Sequence, residues 1–304
     1  MTEARRHHYV PVFLLAPWVL HGELNGYWWN ERKDALDYKK KGPKAFCNVM
    51  DLLSLRTHKN GRDALEAGFF QKIDEQGAAV RDYFLQNNVA DLNVDQRIEF
   101  ARLLFSLDMR REQIVERLRS DKQKYADGLN RDERIKAWMA HNGYEGDPAS
   151  LAEQVLGSLE DRALLVIQKL VDNRDIGARL INAQWHVARV QPLDGTFVLS
   201  DRPLIRLNAF DHPNGAWILP LTPSVIFVAM NSPDDLVRLK RMTGQRLVKT
   251  INSLSANQSD RFIFSVEPGH ARWIAPRLKE KDKARRATVT KHHETETQSA
   301  ADSN

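Results

Sequence analysis

Two residues able to handle a proton stand far apart in the chain, each in distinctive company. His8 opens the run His8-Tyr9-Val10-Pro11, and Asp201 sits within Phe197-Val198-Leu199-Ser200-Asp201-Arg202-Pro203. A histidine and a carboxylate brought to one place can run general acid–base catalysis or hold a divalent metal ion. Asp201 follows an apolar strand, and the loop after a strand presents side chains from a fixed base. The structural alternative stays open: Asp201 bonds the backbone amides of a local turn, and His8 anchors the segment it opens.

Glu75 and Arg110 are candidates of lower rank. Glu75 lies at the edge of an apolar helical stripe, where most glutamates face water. Arg110 stands in a long helix beside Asp108 and Glu112, a spacing that ordinarily gives a solvated, self-paired face. Cys47, the only cysteine, has no local base and reads as a small buried apolar side chain. Glycine-rich phosphate loops, HExxH, paired CxxC and GxSxG are all missing. The ten histidines are scattered except at His7-His8 and His292-His293. A site is therefore expected to be assembled from distant segments, and the sequence does not say whether it holds a metal.

The elements that would carry such a site point to an α+β fold. An amino-terminal extended segment begins at His8, kept from helix by Pro11 and Pro17. Residues 30–44 read as a loop or short helix. Helical spacing then runs over Asp63 to Gln86, with Gly68 and Gly77 as weak points costing about 1 kcal/mol each. Asn93 with Gln96 forms a capping box before one long helix reaching Leu118. A short helix follows at about 131–141. Asp147-Pro148 restarts the chain for one or two helices ending near Ala183.

A period of two sets in at Trp185. Asp194-Gly195 predicts a hairpin turn with Thr196–Leu199 as the return strand. Pro220 is expected to end the strand around Trp217–Leu219, and the continuously apolar Val225–Met230 to be central. Ser232-Pro233 starts one covering helix to about Ala256. A last strand spans about Arg261–Val266 in this mainly antiparallel sheet. Residues 7–276 read as a single α+β domain and 277–304 as a disordered tail, basic then polar.

The chain has 304 residues and a formal charge of +5. That surplus suits nucleic acid or another anionic ligand without requiring one. Val10–Leu20 imitates a secretory leader, but Pro11 and Pro17 interrupt it, so it reads as structural. No run reaches the roughly 18 apolar residues that span a bilayer. With one cysteine, the expected location is the cytoplasm and no membrane contact is foreseen.

Three motifs in order, His8-Tyr9-Val10-Pro11, Ser200-Asp201-Arg202-Pro203 and Pro220-Leu221-Thr222-Pro223, resemble the domain-of-unknown-function 4238 family. The resemblance covers roughly residues 7–266. Two departures stand out: Arg202 replaces the family's Asn, and Leu14-Leu15-Ala16-Pro17 replaces its Arg-x-Phe. The family carries no settled activity. The resemblance implies a domain boundary and raises His8 and Asp201 above Glu75 and Arg110. Two readings of function remain. One is a hydrolase acting on a phosphoester or nucleic acid through a His/Asp site. The other is a non-catalytic binding or interaction module in which His8 and Asp201 form a structural clamp.

Overall fold

The structure, a computed structural model, describes residues 6–56, 61–156, 158–209 and 211–284. Helices make up 56% and antiparallel sheets 18%, so the expected α+β class holds. Where the sequence reading takes 7–276 as one domain, the contacts group the chain into two compact units of three segments each. The first comprises the chain up to Pro11, Cys47–Trp185 and Ala209–Pro213; the second comprises Val12–Phe46, His186–Asn208 and the chain from Asn214.

In the first unit, strand Arg6–His8 pairs antiparallel with Asn48–Met50, His7 opposite Val49 and His8 opposite Asn48. The Tyr9 amide continues the ladder to the Cys47 carbonyl at 2.9 Å. Val10 and Cys47 are buried. Cys47 has a left-handed backbone, φ 51°.

One turn of π-helix, Glu66–Phe70, leads into α1, Gln71–Gln86. Helix α2, Val94–Met109, starts with the expected reciprocal Asn93/Gln96 cap. Phe84 and Phe100 meet edge to face at 4.7 Å between centroids. A Cβ on Gly77 would sit 2.7 Å from Leu103 Cδ2. The residue read as a weak point is what allows α1 and α2 to close on each other.

The expected single helix through Leu118 is broken. α2 ends at Arg110, Arg111 is extended, and α3 spans Glu112–Ser120. The sequence reading missed α4, Lys122–Arg131, whose polar surface leaves no fully buried side chain. Then come α5, Glu133–His141, capped by Asp132, and α6, Pro148–Leu156. α7, Leu159–Val171, is capped by Ser158, and α8, Arg174–Asn182, by Asn173. Leu164 and Ile167 of α7 are fully buried, as their all-round apolar neighbourhood predicts.

The second unit contains two sheets. One has strand order Gln184–Arg189, Val225–Met230, Ala216–Thr222, Ile205–Leu207. Every residue of Val225–Met230 is buried, matching its apolar run. Ala216–Thr222 passes through Pro220 instead of ending there. Pro220 faces Ile226 beside a register shift, the kind of irregularity at which a strand tolerates a missing amide. Helices α9, Pro233–Lys240, and α10, Gly244–Gln258, replace the single expected covering helix. Thr243 caps α10, and Leu236, Leu239, Leu247 and Ile251 pack with Ile218, Ile226 and Val228 of the sheet.

The other sheet has strand order Val19–Leu20, Glu23–Asn30, Ile263–Phe264, Leu199–Ser200, with Ala35–Lys41 paired to Glu23–Asn30. Two expectations change here. Within residues 30–44, Ala35–Lys41 forms the second strand of a hairpin and not a loop or short helix, with a turn before it and the 3-10 turn Pro43–Ala45 after it; Lys39, Lys40 and Lys41 belong to this edge strand with one wet face. After Gly195, φ 93°, the chain does not return beside Gln184–Arg189. It runs to Leu199–Ser200, which pairs with Ile263–Phe264.

A further helix, α11 over residues 271–284, continues through Pro276, past the boundary at which the tail was expected to begin. Ile274 and Leu278 seat it in a core with Tyr27, Val198 and Ile263. The rest of the expected tail lies outside the described residues. No helix among them is long and apolar enough to cross a membrane.

Candidate functional site

A group of enclosed and part-buried ionisable side chains lies in the first unit. His7, on the pleat of Arg6–His8 that faces inward, is only 2% exposed. Its Nδ1 accepts the Leu53 amide at 2.9 Å, which assigns the neutral ring's proton to Nε2. Nε2 lies 3.7 Å from Asp63 Oδ1. Glu66 begins the π-turn, a local overwidening of the helix that recurs at functional sites. Its Oε2 is buried with no hydrogen-bond partner among the described residues.

Arg110 ends α2 with its side chain wholly buried. Nη1 donates to Asp74 Oδ2 at 2.9 Å, and Nη2 to Asp74 Oδ1 at 2.5 Å and Ser106 Oγ at 2.8 Å. The guanidinium lies 5.0 Å from the Phe70 ring centroid. Its Nε is buried and lacks a hydrogen bond among the described residues. Two-pronged pairing to a carboxylate is the arrangement that most readily keeps an arginine in a core.

Burial pushes the Glu66 carboxyl up to about 7; Arg110 opposes the shift, while Asp74 and Asp63 reinforce it. The group opens to water through Asp63 and Asp74, whose side chains are 22% and 24% exposed. A carboxyl that exchanges its proton near neutrality, with a fixed cation beside it, can serve as a general acid or base.

The four residues singled out from the sequence fall in different settings. Arg110 is inside this group, not on the solvated face that its neighbours suggest. His8 is one residue away from it, half-buried, on the other side of the strand from His7. Glu75 is exposed on α1 and its Oε1 accepts from Gln71 Nε2 at 2.9 Å. Asp201 belongs to the second unit and His8 to the first. Sequence reasoning passed over His7, Asp63, Glu66 and Asp74. The available signal was Glu66, Phe70 and Asp74 recurring every fourth residue alongside the apolar Phe69/Ile73 stripe.

Asp201 is buried, and both its oxygens are engaged by backbone. Oδ1 accepts the Asp260 amide at 2.8 Å and Oδ2 the Arg261 amide at 2.7 Å. Its own amide donates to the Phe262 carbonyl at 3.0 Å. Burial raises its pKa to about 6 against the lowering effect of these amides. The chemistry is that of an aspartate fastening the 258–262 turn to the strand end.

A polar network in the same unit has the residue types of a nucleophile relay. Ser265 Oγ meets His270 Nδ1 at 2.7 Å, and His270 Nε2 lies 3.3 Å from Glu267 Oε2. Thr196 Oγ1 donates to Glu267 Oε1 at 2.5 Å. Ser265 is fully buried and its hydroxyl also accepts the Glu267 amide at 3.0 Å, so the network closes a turn and presents no nucleophile. Burial lowers the His270 pKa, with Glu267 opposing.

Elsewhere in the first unit an open groove of about 510 Å³ is lined by Tyr125, Leu129, Ile135 and neighbouring polar residues of α4 and α5. Among the described residues no group of three or more His, Cys, Asp or Glu side chains is placed to hold a metal ion.

Fold and site together define an α+β protein with an ionisable group buried where its amino-terminal strand meets the first helices of one unit. The chain belongs to the family described as Protein of unknown function (DUF4238), which matches residues 6–268. Comparison with curated proteins and with solved structures finds no match.

Proposed function

We propose that this DUF4238 protein is a hydrolase of phosphoesters, nucleic acid among them, with Glu66 as its proton-transfer group. The observation that carries the reading is Glu66 Oε2, held on a π-turn beside the enclosed Arg110 and its partner Asp74, with no hydrogen bond among the described residues. The Glu66 carboxylate takes a proton from an attacking water and returns it to the leaving oxygen. Arg110, locked by Asp74, stabilises the charged form of Glu66. His7, fixed through Leu53, holds its Nε2 proton toward Asp63 and sets the field at the mouth of the group. The chain's surplus of Lys and Arg suits an anionic substrate.

A second reading, the non-catalytic module, is favoured at one place. Asp201 spends both oxygens on backbone amides, so it acts as a fastener within its own unit, and the catalytic role passes to Glu66. The single cysteine, Cys47, supports a cytoplasmic location.

The test is hydrolysis of p-nitrophenyl phosphate and bis(p-nitrophenyl) phosphate by the full chain and by Glu66→Gln. The reading requires turnover near neutral pH and a loss of about 100-fold in the variant. Equal rates in the two proteins, or no turnover by the wild type, would sink it.

A further inference from the structure

The positive surplus is concentrated. Residues 31–44 carry six Lys/Arg against three Asp/Glu, and residues 271–284 carry five against two. Together they hold six excess positive charges, more than the +5 of the whole chain, so the remainder is close to balanced.

The fold of the second unit joins these two segments. The first is the hairpin turn with edge strand Ala35–Lys41, and the second is α11. Lys279 of α11 reaches Asp34 in the turn at 2.9 Å and lies 5.3 Å from the Trp29 ring centroid. Ile274 and Leu278 share a core with Tyr27, against which Trp29 and Leu36 also pack.

Arg32, Lys40, Lys41, Arg272 and Lys283 are exposed. None of their side chains makes a hydrogen bond or ion pair among the described residues. Lysines on an edge strand also discourage strand addition. An arginine in the turn and cations on a neighbouring helix serve no such purpose. Tyr38, 62% exposed, stands among them. A membrane-seeking face would offer apolar side chains to the lipid, whereas Trp29 and Leu36 are committed to the core. Cations spaced along a surface fit phosphates, and an open aromatic ring fits an unpaired base.

We propose that hairpin 31–44 and α11 form a docking surface for single-stranded nucleic acid. Its phosphates lie along Arg32, Lys40, Arg272 and Lys283, and a base stacks on Tyr38, which shares the face of Lys40 on the strand. The surface stands on charge placement in the second unit and does not depend on the chemistry assigned to Glu66.

The experiment is fluorescence anisotropy of a labelled single-stranded DNA oligonucleotide with the full chain across a salt series. Binding should weaken as salt rises. Arg32→Ala/Lys40→Ala should flatten the log–log salt slope by about 1.4, since each lost phosphate contact removes roughly 0.7 on a single strand. Tyr38→Ala should weaken binding about tenfold with the slope unchanged. Lys124→Ala/Lys136→Ala, whose lysines pair with Asp121 and Glu133 in the first unit, should alter neither quantity. If that variant fails to fold, Arg272→Ala/Lys283→Ala reads the same slope. Absence of binding, a slope untouched by these changes, or tighter binding to phosphatidylserine vesicles than to the oligonucleotide would overturn the proposal.

Discussion

Arg110 and Asp74 form a two-pronged ion pair in which the partners differ in burial: the guanidinium is wholly enclosed, while the Asp74 side chain keeps 24% of its surface in water. The asymmetry fixes which partner is costlier to lose. Asp74→Ala strands an enclosed cation and should cost about 3–5 kcal/mol. Arg110→Met leaves a carboxylate that water can reach and fills the space with an apolar chain, so its cost should be under half of that. Urea unfolding midpoints compare the two. Equal losses would show that Arg110 is not the trapped member.

The close approach of α1 and α2 makes a second prediction. Gly77→Ala should destabilise by about 1–3 kcal/mol, because the new methyl meets Leu103 and outweighs the gain of about 1 kcal/mol in helix propensity. Gly128→Ala in α4 meets nothing within 4 Å and should gain up to about 1 kcal/mol. Thermal melting of both variants decides it. A stabilised Gly77→Ala would refute the packing argument.

Asp201 should be needed for folding more than for turnover. Asp201→Ala takes the acceptor from the Asp260 and Arg261 amides at a part-buried turn, a loss of about 1–3 kcal/mol. Phosphoesterase rates of the folded fraction should stay within about twofold of wild type. A rate loss comparable to that of Glu66→Gln, with stability retained, would return Asp201 to the catalytic group.

Much of the fold was legible where the signal is local. The Asn93/Gln96 cap, the Ser232 helix start and the apolar run Val225–Met230 all depend on residues a few positions apart. The errors came where tertiary context overrides local preference. Pro220 and Pro276 read as stops, but a register shift accommodates one and helix α11 runs through the other. The lysines of 39–41 read as loop because an edge strand needs only one apolar face.

Of the candidate group, the sequence reading named Arg110 and the neighbours of His7 and Asp74 and passed over Asp63 and Glu66; in this geometry one residue decides which side chain is enclosed. On a strand, a step of one moves a side chain to the opposite face, which separates the enclosed His7 from His8. On a helix, a step of one turns the side chain by about 100°, which separates Asp74 from the exposed Glu75. Arg110 looked solvated because acids flank it in sequence. Its partner is Asp74, 36 residues away, and no local pattern announces that pairing.

The raised carboxyl of Glu66 links stability to pH. Its folded value of about 7 exceeds the ordinary 4.5, so the bound proton favours the folded state. That contribution is complete below about pH 4.5 and is lost as pH rises through about 7. Glu66→Gln stays neutral throughout. Its melting temperature minus that of wild type should therefore rise between about pH 5 and about pH 8. A difference that stays flat would contradict the burial of this carboxyl.

The most direct measurement is a carbon-13 NMR titration of glutamate side-chain carboxyls, with Glu66 identified by the signal missing from Glu66→Gln. The account predicts a midpoint near 7 for Glu66 in the folded protein. A midpoint near the ordinary 4.5 would mean that the carboxyl is ionised and idle at neutral pH, and the acid–base role assigned to it would fall.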